Sequence, residues 1–129
     1  MAGMKQMETV STKNAPRAIG PYSQAYKTGN MVFVSGQIPV RPEDGSVAEG
    51  IAAQAEQSCK NVGAILEAAG TSFARVVKTT CFLADIKDFA AFNEVYAKFF
   101  TSKPARSCVA VRELPKGVLC EVEAIAECD

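Results

Sequence analysis

The sequence predicts a single α+β domain in which two helices cover one face of a mixed sheet of about six strands. The chain has 129 residues, a length that favours one domain over two. Its hydrophobic content of 48% is sufficient for a core and argues against disorder. Strand-like and helix-like apolar spacings follow one another as two or three strands, a helix, a strand, a helix and two strands. We therefore treat residues 1–129 as one domain.

The N-terminal part of the chain contains the first predicted strands. They are residues 8–11, 24–27 and 31–35. Thr28-Gly29-Asn30 connects the last two and predicts a hairpin. Gly36 closes the second hairpin strand, and Gly20-Pro21 breaks regular structure so that Tyr22 falls at a loop-to-strand junction.

Two amphipathic helices are predicted next. Residues 47–69 carry apolar side chains at three- and four-residue steps, and Gly70 stands where a C-terminal cap is expected. A second helix begins at Asp85 or Asp88 and ends before Pro104. Its aromatic stripe, which we assign to the core rather than to a ligand site, consists of Phe89, Phe92, Tyr96 and Phe99.

The remaining segments predict three more strands. Residues 76–83 are β-branched and apolar on both faces, which is typical of a central strand. Residues 106–111 and 118–126 form the last two strands. Glu121 and Glu123 alternate along the final strand and therefore share a face with Leu119 and Ile125.

A sheet of this kind is only half covered by its helices. Two helices shield one face, yet Val32, Val34, Val77 and Phe82 do not all point to the same side. A monomer would therefore expose a broad apolar face, larger than a soluble monomer usually tolerates. The pattern predicts self-association through that face in a closed, symmetric assembly.

Composition excludes several classes of function. The chain has no histidine, which excludes Ser-His-Asp and Cys-His nucleophile pairs and any His-ligated metal. Lys and Arg number 14, as do Asp and Glu, so the formal net charge is zero. This balance provides no bulk field for holding a polyanion, and a nucleic-acid partner is not expected without a local basic patch.

Cysteine usage and the N-terminus bear on the compartment. The five cysteines are odd in number and contain no Cys-x-x-Cys pair, which favours neither a disulfide framework nor a zinc site. We expect reduced, mostly buried thiols in a cytoplasmic protein. No apolar run approaches the ~20 residues of a membrane span. The first five residues resemble neither a signal peptide nor an Arg-rich mitochondrial leader.

Charged positions in the last two strands are the candidates for chemistry. Arg106 opens a strand after Pro-Ala and can be a surface charge, a structural ion pair or a fork for a planar anion such as a carboxylate. Glu121 and Glu123 can belong to a solvated strand edge, or one of them can point into a subunit cleft and hold a water. The residues alone leave these alternatives open.

Five segments, in order and spanning nearly the whole chain, resemble signature segments of the RidA family. They are residues 19–25 (IGPYSQA), 34–39 (VSGQIP), 104–109 (PARSCV), 114–117 (LPKG) and 121–126 (EVEAIA). RidA proteins, also called the YjgF or perchloric-acid-soluble-protein family, are deaminases of reactive enamines and imines. The short Thr101-Ser102-Lys103 connection is a departure, since some relatives lengthen it, but it affects no site residue.

The resemblance implies a chorismate-mutase-like homotrimer with clefts between subunits. It also implies two catalytic residues, Arg106 binding the substrate carboxylate through a bidentate fork and Glu121 holding the attacking water. The other substrate-binding residues that it implies are Tyr22, Ser35, Gly36, Asn93 and Cys108. Among them Tyr22 and Asn93 line the cleft, Ser35 and Gly36 shape its floor, and Cys108 contributes backbone and packing. No metal or organic cofactor is implied.

Each of these assignments has a simpler alternative. Gly36 can be only a turn, and Tyr22 only an interface aromatic. Asn93 can decorate a helix, and Ser35 can bind backbone alone. Cys108 can be a nucleophile, although nothing near it in sequence would lower its pKa.

The function implied is hydrolysis of 2-enamine and 2-imino acids, such as 2-aminoacrylate, 2-iminopropionate and 2-iminobutyrate, to 2-keto acids and ammonia. The substrate would be a small 2-imino acid, and the product a 2-keto acid. Two alternatives stay open at this point. One is an RNA-directed endoribonuclease or translation inhibitor, and the other is a carboxylate-sensing or chaperone-like interaction protein.

Overall fold

A computed structural model describes residues 7–129 as six strands and two α-helices. The elements are β1 (Glu8–Val10), β2 (Ala25–Thr28), β3 (Met31–Gln37), α1 (Ile51–Ala68), β4 (Val76–Leu83), α2 (Phe89–Phe99), β5 (Ala105–Ala110) and β6 (Cys120–Glu127). Single 3₁₀ turns lie at Phe73–Arg75, Ile86–Asp88 and Pro115–Gly117. This order confirms the predicted α+β succession. What the sequence predicted from the first five residues lies outside the described part of the chain.

The strands form one sheet in the order β1-β2-β3-β6-β4-β5. All neighbouring strands are antiparallel except β4 and β5. That parallel pair requires a crossover connection, and α2 supplies it. The β2–β3 hairpin turns at Gly29, whose φ of 58° lies in the left-handed region that favours glycine. As predicted, β4 is an interior strand; β5 forms one edge of the sheet.

Two predicted boundaries were wrong. Helix α1 begins at Ile51 rather than at residue 47, because Val47 forms an isolated bridge with Val40 before the chain turns into the helix. Strand β3 does not close at Gly36 but continues to Gln37 through a register shift. Of the two predicted capping residues, Asp88 stands at the N-cap position of α2 without a side-chain cap bond, whereas Asp85 caps the preceding 3₁₀ turn by accepting a 2.9 Å bond from the Lys87 amide.

The aromatic stripe of α2 is only partly core. Phe92 and Tyr96 are buried and Phe99 packs against the core, but Phe89 is 39% exposed. The assignment of all four aromatics to the core was therefore wrong for Phe89. This residue is the first of α2, and its ring lies beside the Arg106 guanidinium, with Arg106 Cζ 5.6 Å from the ring centre.

Both helices pack on one face of the sheet, which we call the helix face. Four of the five cysteines are buried and Cys108 is half-buried, and all five are free thiols, as predicted. Burial raises the pKa of Cys81 to about 12 and that of Cys120 to about 11. These buried thiols therefore stay protonated and unreactive at neutral pH.

No element of residues 7–129 covers the opposite face, which we call the open face. Tyr26, Phe33 and Ile125 lie side by side across β2, β3 and β6 on it, and Phe33 is 44% exposed. The predicted uncovered apolar face is thus present in the single chain. Within residues 7–129, neither helix is long and apolar enough to cross a membrane.

Buried amide side chains fasten the loops to the sheet. Gln24 accepts a 2.7 Å bond from the Thr12 amide and donates to the carbonyls of Thr12, Ala15 and Pro16. Asn61 of α1 donates to the carbonyls of Ile38 and Val40. Because buried backbone groups need partners, one amide can fix a whole irregular segment.

We predict that Gln24→Leu lowers the free energy of unfolding by about 2–3 kcal/mol, because it leaves buried backbone groups of the 12–16 segment without partners. Urea denaturation measures this loss. Gln57→Leu is the matched control, since Gln57 makes a single side-chain bond to Asn61 and should cost about 1 kcal/mol or less. Equal losses in the two variants would contradict the assigned role of Gln24.

Candidate active site

Arg106 lies on the edge strand β5 with its guanidinium held by α2. Its Nη1 donates a 2.8 Å bond to Asn93 Oδ1. Its Cζ lies 4.7 Å from the centre of the Tyr96 ring and 5.6 Å from that of Phe89. The ion pairs found among residues 7–129 join other side chains and leave Arg106 out. The remaining N–H groups of a positioned, planar fork are therefore available to an anion.

The spacing of α2 explains this arrangement. Phe89, Asn93 and Tyr96 follow one another at four- and three-residue steps and so share one side of the helix. The Tyr96 hydroxyl is 2.6 Å from Thr79 Oγ1 on β4, which fixes the ring under the guanidinium. Asn93 is thus a direct partner of Arg106. Both lie in a surface depression of about 430 Å³ that Tyr96 also lines.

Cys108 lies two residues beyond Arg106 on the same face of β5, directly opposite Cys81. Burial raises the pKa of its thiol, and the nearby Arg106 charge offsets this only in part. A protonated thiol is a poor nucleophile, so the geometry favours packing and backbone contacts for Cys108 over covalent chemistry.

Glu121 projects from β6 on the open face, and its carboxylate lies directly over Gly36 of β3. A Cβ atom at Gly36 would overlap Glu121 Oε2 and would stand 3.2 Å from its Cγ. Gly36 is needed here for space, since its φ is not positive. Burial raises the pKa of the Glu121 carboxyl above its ordinary value, and the neighbouring Glu123 raises it further.

Ser35 and Gln37 fix the backbone on either side of Gly36. The Ser35 hydroxyl donates a 2.6 Å bond to the Ser23 carbonyl, and its amide donates to the Gln24 carbonyl. The Gln37 side chain donates to the carbonyls of Ser35 and Gly36. The hydroxyl of Ser35 is therefore occupied by backbone, and its contribution is positional.

Tyr22 is 52% exposed and lies beside this segment. Its hydroxyl accepts a long 3.4 Å bond from the Ile19 amide. Tyr22 and Gly36 line one cavity of about 290 Å³, and Tyr22 and Ser35 line a neighbouring depression of about 540 Å³. The structure therefore brings Tyr22, Ser35, Gly36 and Glu121 together.

The seven predicted residues thus form two groups on opposite faces of the sheet. Arg106 stands opposite Thr79, whose hydroxyl meets α2 on the helix face. Glu121 stands opposite Phe82, which follows Thr79 by three residues on β4. Because side chains alternate between the two faces along a strand, Glu121 points to the open face. Within one chain, Arg106 and Glu121 cannot close on the same small ligand.

Sequence reasoning missed the residues that hold the site. Phe89 and Tyr96 contact the Arg106 guanidinium, and their spacing relative to Asn93 is the signal that could have indicated it. Gln24 and Gln37 belong to the quoted segments, but no local pattern shows which carbonyls their amides bind.

Comparison with known proteins places these residues in a family. The sequence model of the family described as Endoribonuclease L-PSP matches residues 12–128. A 2-iminobutanoate/2-iminopropanoate deaminase of Salmonella typhimurium is 55% identical over 123 residues, covering 92% of this chain and 96% of that protein. The protein of the same name from Escherichia coli K12 is 54% identical over 123 residues, with the same coverage of both chains.

Solved structures give the same result for the fold. Yeast Mmf1 superposes with a TM-score of 0.92 at 50% identity, covering 96% of this chain and 100% of that chain. Escherichia coli TdcF, solved with bound serine, gives 0.91 at 48% identity, covering 95% of this chain and 99% of that chain.

The contact between Gly36 and Glu121 is tested by a double-mutant cycle. We expect Gly36→Ala to lower the free energy of unfolding by about 1–3 kcal/mol, because the new methyl group displaces the carboxylate. Glu121→Ala opens the space, so the double variant should recover most of that loss. Glu123→Ala is the matched control and should rescue nothing, since no Glu123 atom is among the nearest neighbours of the Gly36 Cβ position. Additive losses in both double variants would contradict the contact.

Proposed function

This chain belongs to the endoribonuclease L-PSP family, also called the YjgF or RidA family, and from this we infer that it is a 2-iminobutanoate/2-iminopropanoate deaminase. It hydrolyses 2-imino acids, and the 2-enamine acids with which they interconvert, to 2-keto acids and ammonia. Identity of 54–55% over 92% of the chain supports the assignment.

The observation that carries the chemical argument is the guanidinium of Arg106, which forms no ion pair within residues 7–129. A 2-imino acid presents a planar carboxylate beside its C=N carbon, and a guanidinium offers two parallel N–H donors to such a group. Asn93 and the rings of Tyr96 and Phe89 orient this fork before any ligand arrives. Binding both carboxylate oxygens fixes the position of the adjacent carbon.

The rest of the cleft comes, in this proposal, from a second copy of the chain. Arg106, Asn93 and Cys108 lie on the helix face at the sheet edge, whereas Glu121 lies on the open face over Gly36. Joining the edge of one copy to the open face of the next completes the site and covers the apolar residues. Such a head-to-tail contact closes into a ring. We propose a chorismate-mutase-like homotrimer with three equivalent clefts.

The hydrolysis then proceeds by addition of water and loss of ammonia. Protonation of the imine nitrogen makes C2 electrophilic. A water hydrogen-bonded to Glu121 attacks C2, the C=N π electrons move to nitrogen, and Glu121 takes the proton released by the water. The resulting carbinolamine receives this proton from Glu121 on its nitrogen, and ammonia leaves as the C=O bond forms and the hydroxyl proton passes to the Glu121 carboxylate. No step uses the Ser35 hydroxyl or the Cys108 thiol, and none requires a cofactor.

We predict that Arg106→Lys lowers kcat/KM for 2-iminobutanoate by about a hundredfold, because the charge remains but the two-donor fork is lost. A coupled threonine dehydratase assay that times 2-keto acid release measures the rate above spontaneous hydrolysis. Arg112→Lys, at an exposed position, is the matched control and should behave as the parent protein. A near-parental rate for Arg106→Lys with an unchanged melting temperature would contradict the fork.

The Glu121 carboxylate predicts the acid limb of the pH profile. Its pKa is raised above 4.5, so kcat/KM should fall on acidification at a pH above that value as the proton acceptor is lost. Glu123→Gln removes a like charge that raises this pKa, and should shift the acid limb to lower pH. Glu127→Gln, farther along β6, should shift it less. An acid limb that moves upward or stays in place in Glu123→Gln would contradict Glu121 as the proton acceptor.

The assembly is tested by light scattering, which should report about three times the 13.7 kDa chain mass at micromolar concentration. Phe33→Glu places a charge on the open face and should yield smaller species with no deaminase activity. Ala52→Glu, on the exposed side of α1, is the control and should leave both mass and activity unchanged. An active monomer would contradict the shared cleft.

A further inference from the structure

The cavity beside Tyr22 and Gly36 is lined by two cations that the deaminase chemistry described above does not use. It encloses about 290 Å³, and Ile38 and Pro115 are among its apolar lining residues. Arg17 and Lys116 are its charged lining residues. A cavity lined by both apolar side chains and cations fits a short carbon chain that ends in an anion.

An adjoining groove of about 650 Å³ extends this positive surface. It shares Arg17 and Lys116 with the cavity and adds Lys13 and Arg41, and no carboxylate lines either space within residues 7–129. Arg41 is partly compensated, because its charge helps to lower the pKa of Asp44 and its Nη1 donates to Ser46. Arg17 and Lys116 take part in no ion pair among the described residues. In a chain whose net charge is zero, this concentration of one sign is local.

Both cations are presented by fixed backbone. The Gln24 side chain binds the Pro16 carbonyl at 2.7 Å, immediately before Arg17. Lys116 adopts a left-handed conformation with a φ of 59°, which is unfavourable for a residue with a side chain. The amides of Gly117 and Val118 close the turn onto the carbonyls of Leu114 and Pro115. The turn therefore fixes the backbone of Lys116, which lines the cavity.

We propose that this cavity is a subsite for a second carboxylate, so that the enzyme accepts 2-imino dicarboxylic acids in addition to monocarboxylic ones. The inference rests on the proposed function, in which Arg106 of a neighbouring copy binds the carboxylate next to the imine carbon above Gly36. The substrate side chain then enters the cavity past Tyr22, its methylene groups contact the apolar lining residues, and its terminal carboxylate meets Arg17 and Lys116. The reaction that supplies such a substrate is elimination of water from an acidic 2-amino acid with a hydroxyl group on C3, or two-electron oxidation of an acidic 2-amino acid by a flavin, which is itself reduced.

Two stable 2-keto acids of equal chain length test the subsite directly. 2-Oxoglutarate and 2-oxopentanoate both have five carbons, and only the first has a terminal carboxylate. We expect calorimetry on the assembled protein to give a Kd for 2-oxoglutarate that is lower by about tenfold or more. The double variant Arg17→Gln/Lys116→Asn should reduce this preference to about twofold or less, since the charges are lost while asparagine tolerates the left-handed backbone. The matched control is Lys60→Gln on α1, outside both spaces, and it should keep the parental preference.

Hydrolysis of imines made in place from alanine and glutamate by amino-acid oxidases gives the second readout. We expect the ratio of kcat/KM for the dicarboxylic over the monocarboxylic imine to fall by about tenfold in the double variant. The subsite would be overturned by an unchanged ratio in the double variant, or by equal binding of the two keto acids to the parent protein. The proposed function would stand in that case as long as the parent protein hydrolyses 2-iminopropanoate. If the parent protein hydrolysed neither imine, both the subsite and the proposed function would be overturned.

Discussion

The covering of only one sheet face governs the rest of this structure. Helices α1 and α2 pack against the same side, so every second residue of β3 and β6 points to the uncovered side. Strand alternation then sends Glu121 to the open face and Arg106 towards α2. The two groups of candidate site residues therefore cannot meet within a chain, and the exposed apolar residues of the open face lie on the same side of the sheet as Glu121. Under the proposed function, assembly and catalysis both follow from this constraint.

Buried amides and a few other side chains hold the candidate site residues in position. Gln37 and Ser35 fix the backbone at Gly36, while Asn93 fixes the guanidinium of Arg106. Among the described residues, no buried side-chain nitrogen or oxygen lacks a hydrogen-bond partner. A fully satisfied polar network is stiff, because moving one member leaves another unpaired in a medium of low dielectric. Such stiffness suits a reaction that depends on positioning more than on strong acid–base groups.

Sequence patterns predicted the succession of elements, the hairpin and the uncovered face because these depend on local periodicity. They failed where a distant contact decides. Val47 continues the helical spacing but pairs with Val40 instead, and Phe89 belongs to the aromatic stripe but lies half-exposed beside the Arg106 guanidinium. The resemblance named Gly36 and Glu121 separately, yet only the β3–β6 register shows that one makes room for the other. It likewise named Arg106 and Asn93 without the bond that joins them.

The central claim is that each cleft takes Arg106 from one copy and Glu121 from the next, and mixing two inactive variants tests it most directly. The Arg106→Ala and Glu121→Gln variants are first assembled and assayed separately. Equal amounts of the two are then unfolded together and refolded, so that the trimers contain both kinds of chain. A shared cleft predicts that about a quarter of the clefts receive both intact residues, so about a quarter of parental activity returns. Mixed trimers as inactive as the separate variants would show that both residues serve within one chain and would contradict the account.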